Sequence, residues 1–305
     1  MGLRHDEIWR DTDGRPIQAH GGGLLYHDGV YYWYGENKDA ENRPADTVGH
    51  RVDVVGVSCY SSTDLLTWTN RGVVLPASDN PDHDMHPSKV AERPKVVYCN
   101  TTQRFVMWLH IDKQDYRQAA TGVAVADEPA GPFRYLQTIR PAGLDSRDQT
   151  VFVDNDGSAW HFASSDWNAT TLVSRLSDDY QSFAGEFHRV FVDRKMEAHA
   201  VIEHDGRYWF LASGCTGWDP NPARSAVADS IIGPWTELGN PCTGPESEIT
   251  FHCQSTFLFR TPDGRVIAMF DRWVKEELRS SRYVWLPVEF ADGGMVIEWR
   301  DSWEG

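Results

Sequence analysis

The sequence predicts an all-β fold, a five-bladed β-propeller, and three observations carry that expectation. Helical periodicity is almost absent along the 305 residues. Short aromatic and β-branched runs alternate instead with clusters of Gly, Pro, Asn and Asp. One hairpin pattern recurs five times at a spacing of roughly 50 to 70 residues, the period of a repeat architecture with four strands per unit.

Taken in order, the first hairpins of the units are LLYHDGVYYWYGE (24–36), KVVYCNTTQRFVMWLHID (95–112), TVFVDNDGSAWHFASS (150–165), AVIEHDGRYWFLASG (200–214) and STFLFRTPDGRVIAMFDRW (255–273). Four of them turn on an Asp-Gly pair, Asp28-Gly29, Asp156-Gly157, Asp205-Gly206 and Asp263-Gly264, and the second turns near Thr102. Asp-Gly between apolar runs is a strong hairpin signal because both residues tolerate positive φ. A weaker strand pair follows each hairpin, over 55–75, 122–137, 171–187, 225–239 and 281–299. A β-sandwich does not call for this long second repeat. The five units use the whole chain, so 1–305 reads as one domain with no linker.

Composition narrows the partners. The chain has 45 acidic against 29 basic residues and a formal charge of −16, which argues against nucleic acid or an anionic membrane. No run approaches transmembrane length and the first residues, MGLRHDEIWRDTDG, lack an apolar leader. The expectation is a cytoplasmic protein as the sequence stands, or a secreted one if a leader was removed, and a monomer. The 13 Trp, 11 Tyr and 13 Phe suit a β core, and they suit carbohydrate, whose C–H faces pack on flat rings. Five Cys without a C-x-x-C pair read as reduced buried thiols, and the 12 His match no zinc spacing.

In a propeller the first strand of each unit lines the channel, and ligands bind at one channel mouth. Counting back 8 to 10 residues from the five turns gives His20, Glu92, Asp148, Glu197 and Gln254. A single acid at a strand start is ordinarily a cap or an ion-pair partner. Three in one register repel one another, and at least one then has a raised pKa, the signature of a site. Glu92-Arg93-Pro94-Lys95 and Arg147-Asp148 carry their own counter-charges, whereas Glu197, in Met-Glu-Ala-His-Ala, has none directly after it. Glu197 is therefore the candidate for an acid that stays protonated near neutral pH. Glycoside hydrolysis needs that division between one proton-donating acid and other, ionised carboxylates.

Longer stretches then resemble a known family. DTDGRPIQAHGGG (11–23), YWYGEN (32–37), ERPKV (92–96), SRDQTVFVDNDG (146–157), SGCTGWDPN (213–221), QSTF (254–257), DRW (271–273) and SRYVWLP (281–287) resemble glycoside hydrolase family 43. Within it they are similar to the exo-β-1,3-galactanase group, subfamily 24, and its close relatives. The resemblance implies a five-bladed, inverting enzyme that releases terminal galactose from β-1,3-galactan, such as arabinogalactan chains. It implies Glu197 as general acid, Asp148 as the acid that tunes and orients it, and Glu92 as a sugar-binding carboxylate. Glu36, Tyr116, Asn168 and Thr216 match further sugar contacts. Neighbouring subfamilies that act on arabinofuranosides or galactofuranosides share several of these motifs.

One departure stands out. Most family members carry an Asp general base at the start of blade one, where this chain reads Gln18-Ala19-His20-Gly21. The galactanase group shares the lack, and a glutamine matching Gln254 is thought to hold the attacking water there, in one account as its imidic tautomer. An amide is not a base, so Gln254 reads as a water-positioner. His20 is the chemically easier base and is grouped with the substrate side, although a structural role is the stronger reading. The missing base also keeps open a non-catalytic sugar-binding propeller, against which the intact acid set argues. No cofactor is expected. Some family propellers hold a Ca2+ on the axis, which His252 beside Gln254 could approach, but a packed core histidine is the stronger reading and no residue pattern here specifies the ion.

Overall fold

The computed structural model describes residues 2–43, 50–291 and 293–305. Five sheets of consecutive antiparallel strands form the blades. Blade one comprises His20–His27, Val30–Glu36, Gly56–Ser62 and Thr69–Pro76. Blade two comprises Val90–Cys99, Arg104–Asp112, Ala120–Ala126 and Arg134–Ile139. Blade three comprises Gln149–Val153, Ala159–Ser165, Thr170–Leu176 and Phe183–Val190. Blade four comprises Met196–His204, Arg207–Gly214, Arg224–Ala228 and Thr236–Gly239. Blade five comprises Gln254–Arg260, Val266–Arg272, Arg282–Ala291 and Gly294–Glu298, with Cys242–Thr243 adding a short parallel edge. The first strand of each blade packs against the first strand of the next, and the fifth against the first, closing the ring. The sequence placed all five hairpins and all five second pairs.

Turn chemistry sets the register. Asp28 and Gly29 have φ of 48° and 82°, and Asp205 and Gly206 have 52° and 75°. Both central residues of these two-residue turns are left-handed, so the turn twists with the strands it joins.

The core is five wedges rather than one centre, with a buried apolar cluster at each blade interface. The interface of blades five and one differs because it must close the ring. Leu3–Arg4 pairs with Ser302–Trp303 across it, and Trp9, Trp33, Trp68, Tyr283, Trp285 and Trp303 are all buried there. The rings meet edge to face, Trp33 with Trp285 at 4.8 Å and Trp9 with Trp285 at 5.3 Å between centroids, a favoured aromatic geometry. Eight of the 13 Trp are buried. The aromatic richness of the sequence is therefore mainly structural.

Of the five thiols, four are buried as expected, but Cys215 is exposed because it lies in the loop after the second strand of blade four. Among the described residues no helix is long and apolar enough to cross a membrane.

If the seam holds the ring closed, Trp285→Ala destabilises the fold by about 3–5 kcal/mol in urea unfolding, the cost of a large buried ring. A loss below about 1 kcal/mol would contradict this assignment.

Candidate active site

The strands that line the channel do not run straight through the site. The first strand of blades one, two and four bulges just after the rim position. The register shifts at His20/Gly23, Glu92/Lys95 and Glu197/Ala200, and the next residue, Gly21, Arg93 or Ala198, takes φ of 58°, 55° or 58°. A bulge re-aims the side chain beside it. Here it turns Glu92 and Glu197 toward one cleft of about 230 Å3 that opens to solvent.

Arg93 is the hub. Its backbone N–H donates to Glu36 Oε1 at 3.0 Å, Nη1 to the Ser255 carbonyl at 3.0 Å and Nη2 to Gln254 Oε1 at 2.6 Å. The same Nη2 stands 3.2 Å from Asp148 Oδ2. Asp148 Oδ2 also accepts the Ala198 N–H at 3.0 Å, so it grips the backbone directly after Glu197. Glu92 accepts from the Tyr116 hydroxyl at 3.0 Å, and its other oxygen lies 3.3 Å from His110 Nδ1. Burial alone would raise the Glu92 pKa, but His110, Lys38 and Tyr116 hold it down at about 2. Burial likewise opposes charge on His110, yet Asp112 and Glu92 lift it to about 9. An ionised Glu92 and an imidazolium thus stand in the closed end.

Two carboxyls of the cleft go the other way. Burial raises Glu36 against the pull of Lys38, and Glu197 is raised as well. Burial first, and the nearby Asp148 charge second, push it up to about 8 against the pull of Arg93. Asn168 Nδ2 and Gln254 Nε2 donate to its two oxygens at 3.1 and 3.0 Å. Gln254 is fully engaged. Its Oε1 accepts from Arg93 and from Trp273 Nε1 at 3.0 Å, while Nε2 also reaches Ser213 Oγ at 3.1 Å. Arg and Trp are donors only, so the amide orientation is fixed. An imidic tautomer would place a proton on Oε1 between two donors, and these bonds favour the ordinary amide.

Seven of the nine residues singled out from sequence line the cleft: Glu36, Glu92, Tyr116, Asp148, Asn168, Glu197 and Gln254. Glu36 does so within a 2.5 Å ion pair to Lys38. Two do not. His20 is fully buried, with Nδ1 3.1 Å from Asp271 Oδ1 and its ring stacked on Tyr283, so Asp271 of the neighbouring blade captures a side chain that register placed on the rim. Thr216 is exposed and occupied by its own loop, accepting from Asn221 Nδ2 at 2.7 Å and donating to the Asp219 carbonyl. Sequence reasoning missed Lys38, His110, Arg147, Trp218 and Trp273, which line the cleft as well. For His110 a signal existed: Asp112 stands two residues on, on the same strand face.

Glu92, His110 and Asp148 bring one ligand atom each within 4.8 Å of one another. They fit a metal ion poorly, because His110 already lies between Glu92 and Asp112 and Arg93 already pairs with Asp148. The axis does not fit Ca2+ either. Lys95 Nζ bonds the Gly21 carbonyl there at 2.8 Å and lies 5.9 Å from the Phe257 ring, so an amine already fills the space. His252 is not a core residue as expected: it is exposed and paired with Glu246 at 2.8 Å.

The profile of glycosyl hydrolases family 43 matches residues 24–283. A solved family 43 β-1,3-galactosidase bound to galactodeoxynojirimycin is 39% identical, covers 99% of this chain and 100% of its own, and superposes with a TM-score of 0.91. The exo-β-1,3-galactanase of Phanerochaete chrysosporium with β-1,3-galactotriose is 33% identical over 97% of this chain and 66% of its own, at 0.87. A β-D-galactofuranosidase of Aspergillus niger is 26% identical over 271 residues, 81% of this chain and 75% of its own.

The raised Glu197 pKa has a stability consequence with a definite sign. A carboxyl at about 8 when folded and in the ordinary range when unfolded keeps its proton in the folded state while the unfolded chain ionises, so stability falls as pH rises from about 4.5 to 8. Glu197→Gln removes this term. Its unfolding midpoint is expected to gain on the wild type across that window and to level off above it; a constant difference would contradict the buried, protonated carboxyl.

Proposed function

Because the chain belongs to glycosyl hydrolase family 43 and is a glycoside hydrolase, we propose that it is an exo-acting, inverting β-1,3-galactanase that releases terminal galactose. The observation that carries the reading is the division of charge in the cleft. Glu197 is the one carboxyl there pushed up to about 8, beside an ionised Glu92 and an Asp148 held by Arg93. Likeness over the full length to a β-1,3-galactosidase supports the choice of sugar and linkage.

In the proposed reaction the terminal galactose enters the closed end, where Glu92 and Tyr116 meet its hydroxyls. Glu197 gives its proton to the glycosidic oxygen as the bond to the anomeric carbon breaks. Glu92 and Asp148 stabilise the positive charge that develops on the sugar. A water molecule attacks from the opposite face, inverts the centre and releases its extra proton to solvent, from which Glu197 is reprotonated. Gln254 enters as a positioning group, an amide that donates to the acid and takes no proton. A binding-only propeller would have no use for a carboxyl kept protonated at neutral pH. The galactofuranosidase likeness supports a second reading in which the fold and acid are the same and the sugar is a furanoside.

Product analysis of β-1,3-galactan by proton NMR decides between these. Free α-galactose appearing first, with the chain shortened from one end, is expected; release only from nitrophenyl furanosides would select the second reading. Glu197→Gln is expected to lose about 10²–10⁴-fold in kcat, the worth of a general acid, and near-normal turnover would sink the assignment.

A further inference from the structure

Trp167 is the most exposed large hydrophobic side chain among the described residues, at 64%, and its setting is built. It sits in the turn between Ala159–Ser165 and Thr170–Leu176, where Asp166, Trp167 and Asn168 take φ of 52°, 54° and 63° in succession. Three left-handed non-glycine residues in a row are costly, and neighbouring groups hold the turn in place. The Met196 N–H donates to the Asn168 carbonyl at 3.1 Å, the Lys195 N–H to the Ala169 carbonyl at 3.3 Å, and Asp166 pairs with Arg189. The strained turn puts two consecutive side chains to different uses. Asn168 reaches in to Glu197, while Trp167 lies over Arg147, with the guanidinium carbon 4.3 Å from the ring centroid.

Arg147 is a rigid support. Its side chain is 6% exposed, with Nη1 2.8 Å from Asp145 and Nη2 3.0 Å from the Tyr116 carbonyl, and it lines the cleft. One face of the indole is therefore occupied and the other is left to solvent. The two Trp that line the cleft, Trp218 and Trp273, pack edge to face on each other, 5.2 Å between centroids, and their Nε1–H groups donate to the His50 carbonyl and to Gln254. An exo enzyme places one sugar in the closed end and cuts the bond beside its acid, so the departing residue has only the mouth next to Glu197 to occupy. The turn that carries Asn168 borders that mouth.

We propose that Trp167 is the platform of a leaving-group subsite, taking the C–H face of the hexopyranose that departs. The inference rests on the galactanase reading above. The platform binds the leaving sugar without touching the reacting bond, so it acts on kcat/KM for oligosaccharides and not on chemistry in the closed end. The test compares wild type, Trp167→Ala and Trp167→Phe on β-1,3-galactobiose and on β-galactosyl fluoride, whose leaving group is too small to reach the ring. Trp167→Ala is expected to lose about tenfold in kcat/KM on the disaccharide, the scale of one aromatic contact with its buried area. It is expected to keep fluoride hydrolysis and galactose binding by calorimetry, and Trp167→Phe to restore most of the loss. A loss on the disaccharide accompanied by a shifted basic limb of its pH profile would instead mean that the substitution acts through Asn168 on the acid, and an equal loss on both substrates or none on either would mean that the ring is no leaving-group platform. Either result overturns the subsite alone. A wild type that cleaves neither substrate overturns the galactanase reading, and the subsite with it.

Discussion

The site depends on one buried guanidinium. Arg93 bonds groups on the second strand of blade one, the start of blade three and the start of blade five, from its own place in blade two. A propeller has no single core to fix its centre; each blade packs only on its neighbours, and the rim positions are free to drift unless something spans the axis. A planar fork with five donors suits that task in a way that a lysine does not. The requirement for a left-handed Arg93 in a bulged strand follows from it, because a regular strand would aim the backbone N–H away from Glu36.

The same cation decides how charge is shared. Arg93 neutralises Asp148, His110 and Lys38 hold Glu92 ionised, and among the described residues no cation makes direct contact with Glu197. Glu197 is bordered by amides, Asn168 and Gln254, which hold its oxygens without carrying charge. The acid is therefore kept neutral by what surrounds it and stays oriented at the same time. Gln254 belongs to this arrangement first: all its hydrogen-bonding groups are engaged within the protein, and the amide form is the one its neighbours support.

Much of this was legible in the sequence, because hairpin turns are local. Asp28-Gly29 and Asp205-Gly206 demand a tight turn wherever they stand, and once the turns are fixed, counting back locates the rim. Four of the five counted positions face the cleft. The failures arise where a distant residue decides. His20 has the right register and even the matching bulge, but Asp271 and Tyr283 of blade five draw its ring away. Thr216 lies in a loop whose own bonds use its hydroxyl. Glu197 was singled out for lacking a basic neighbour in sequence, whereas its environment in space comes from Asp148 on blade three and Arg93 on blade two, neither visible in its own motif. His110 escaped notice because His-Ile-Asp at the end of an apolar strand reads as core, and only the fold sets it against Glu92.

The central claim is that Glu197 rests protonated at neutral pH. Its carboxyl can be titrated directly by 13C NMR in protein labelled at the glutamate side-chain carboxyl, with the resonance assigned by its loss in Glu197→Gln. The account predicts an apparent pKa near 8 and a clear fall in Asp148→Asn, which removes the neighbouring negative charge. A Glu197 carboxyl that titrates between about 4 and 5, in the ordinary range for glutamate, would contradict it.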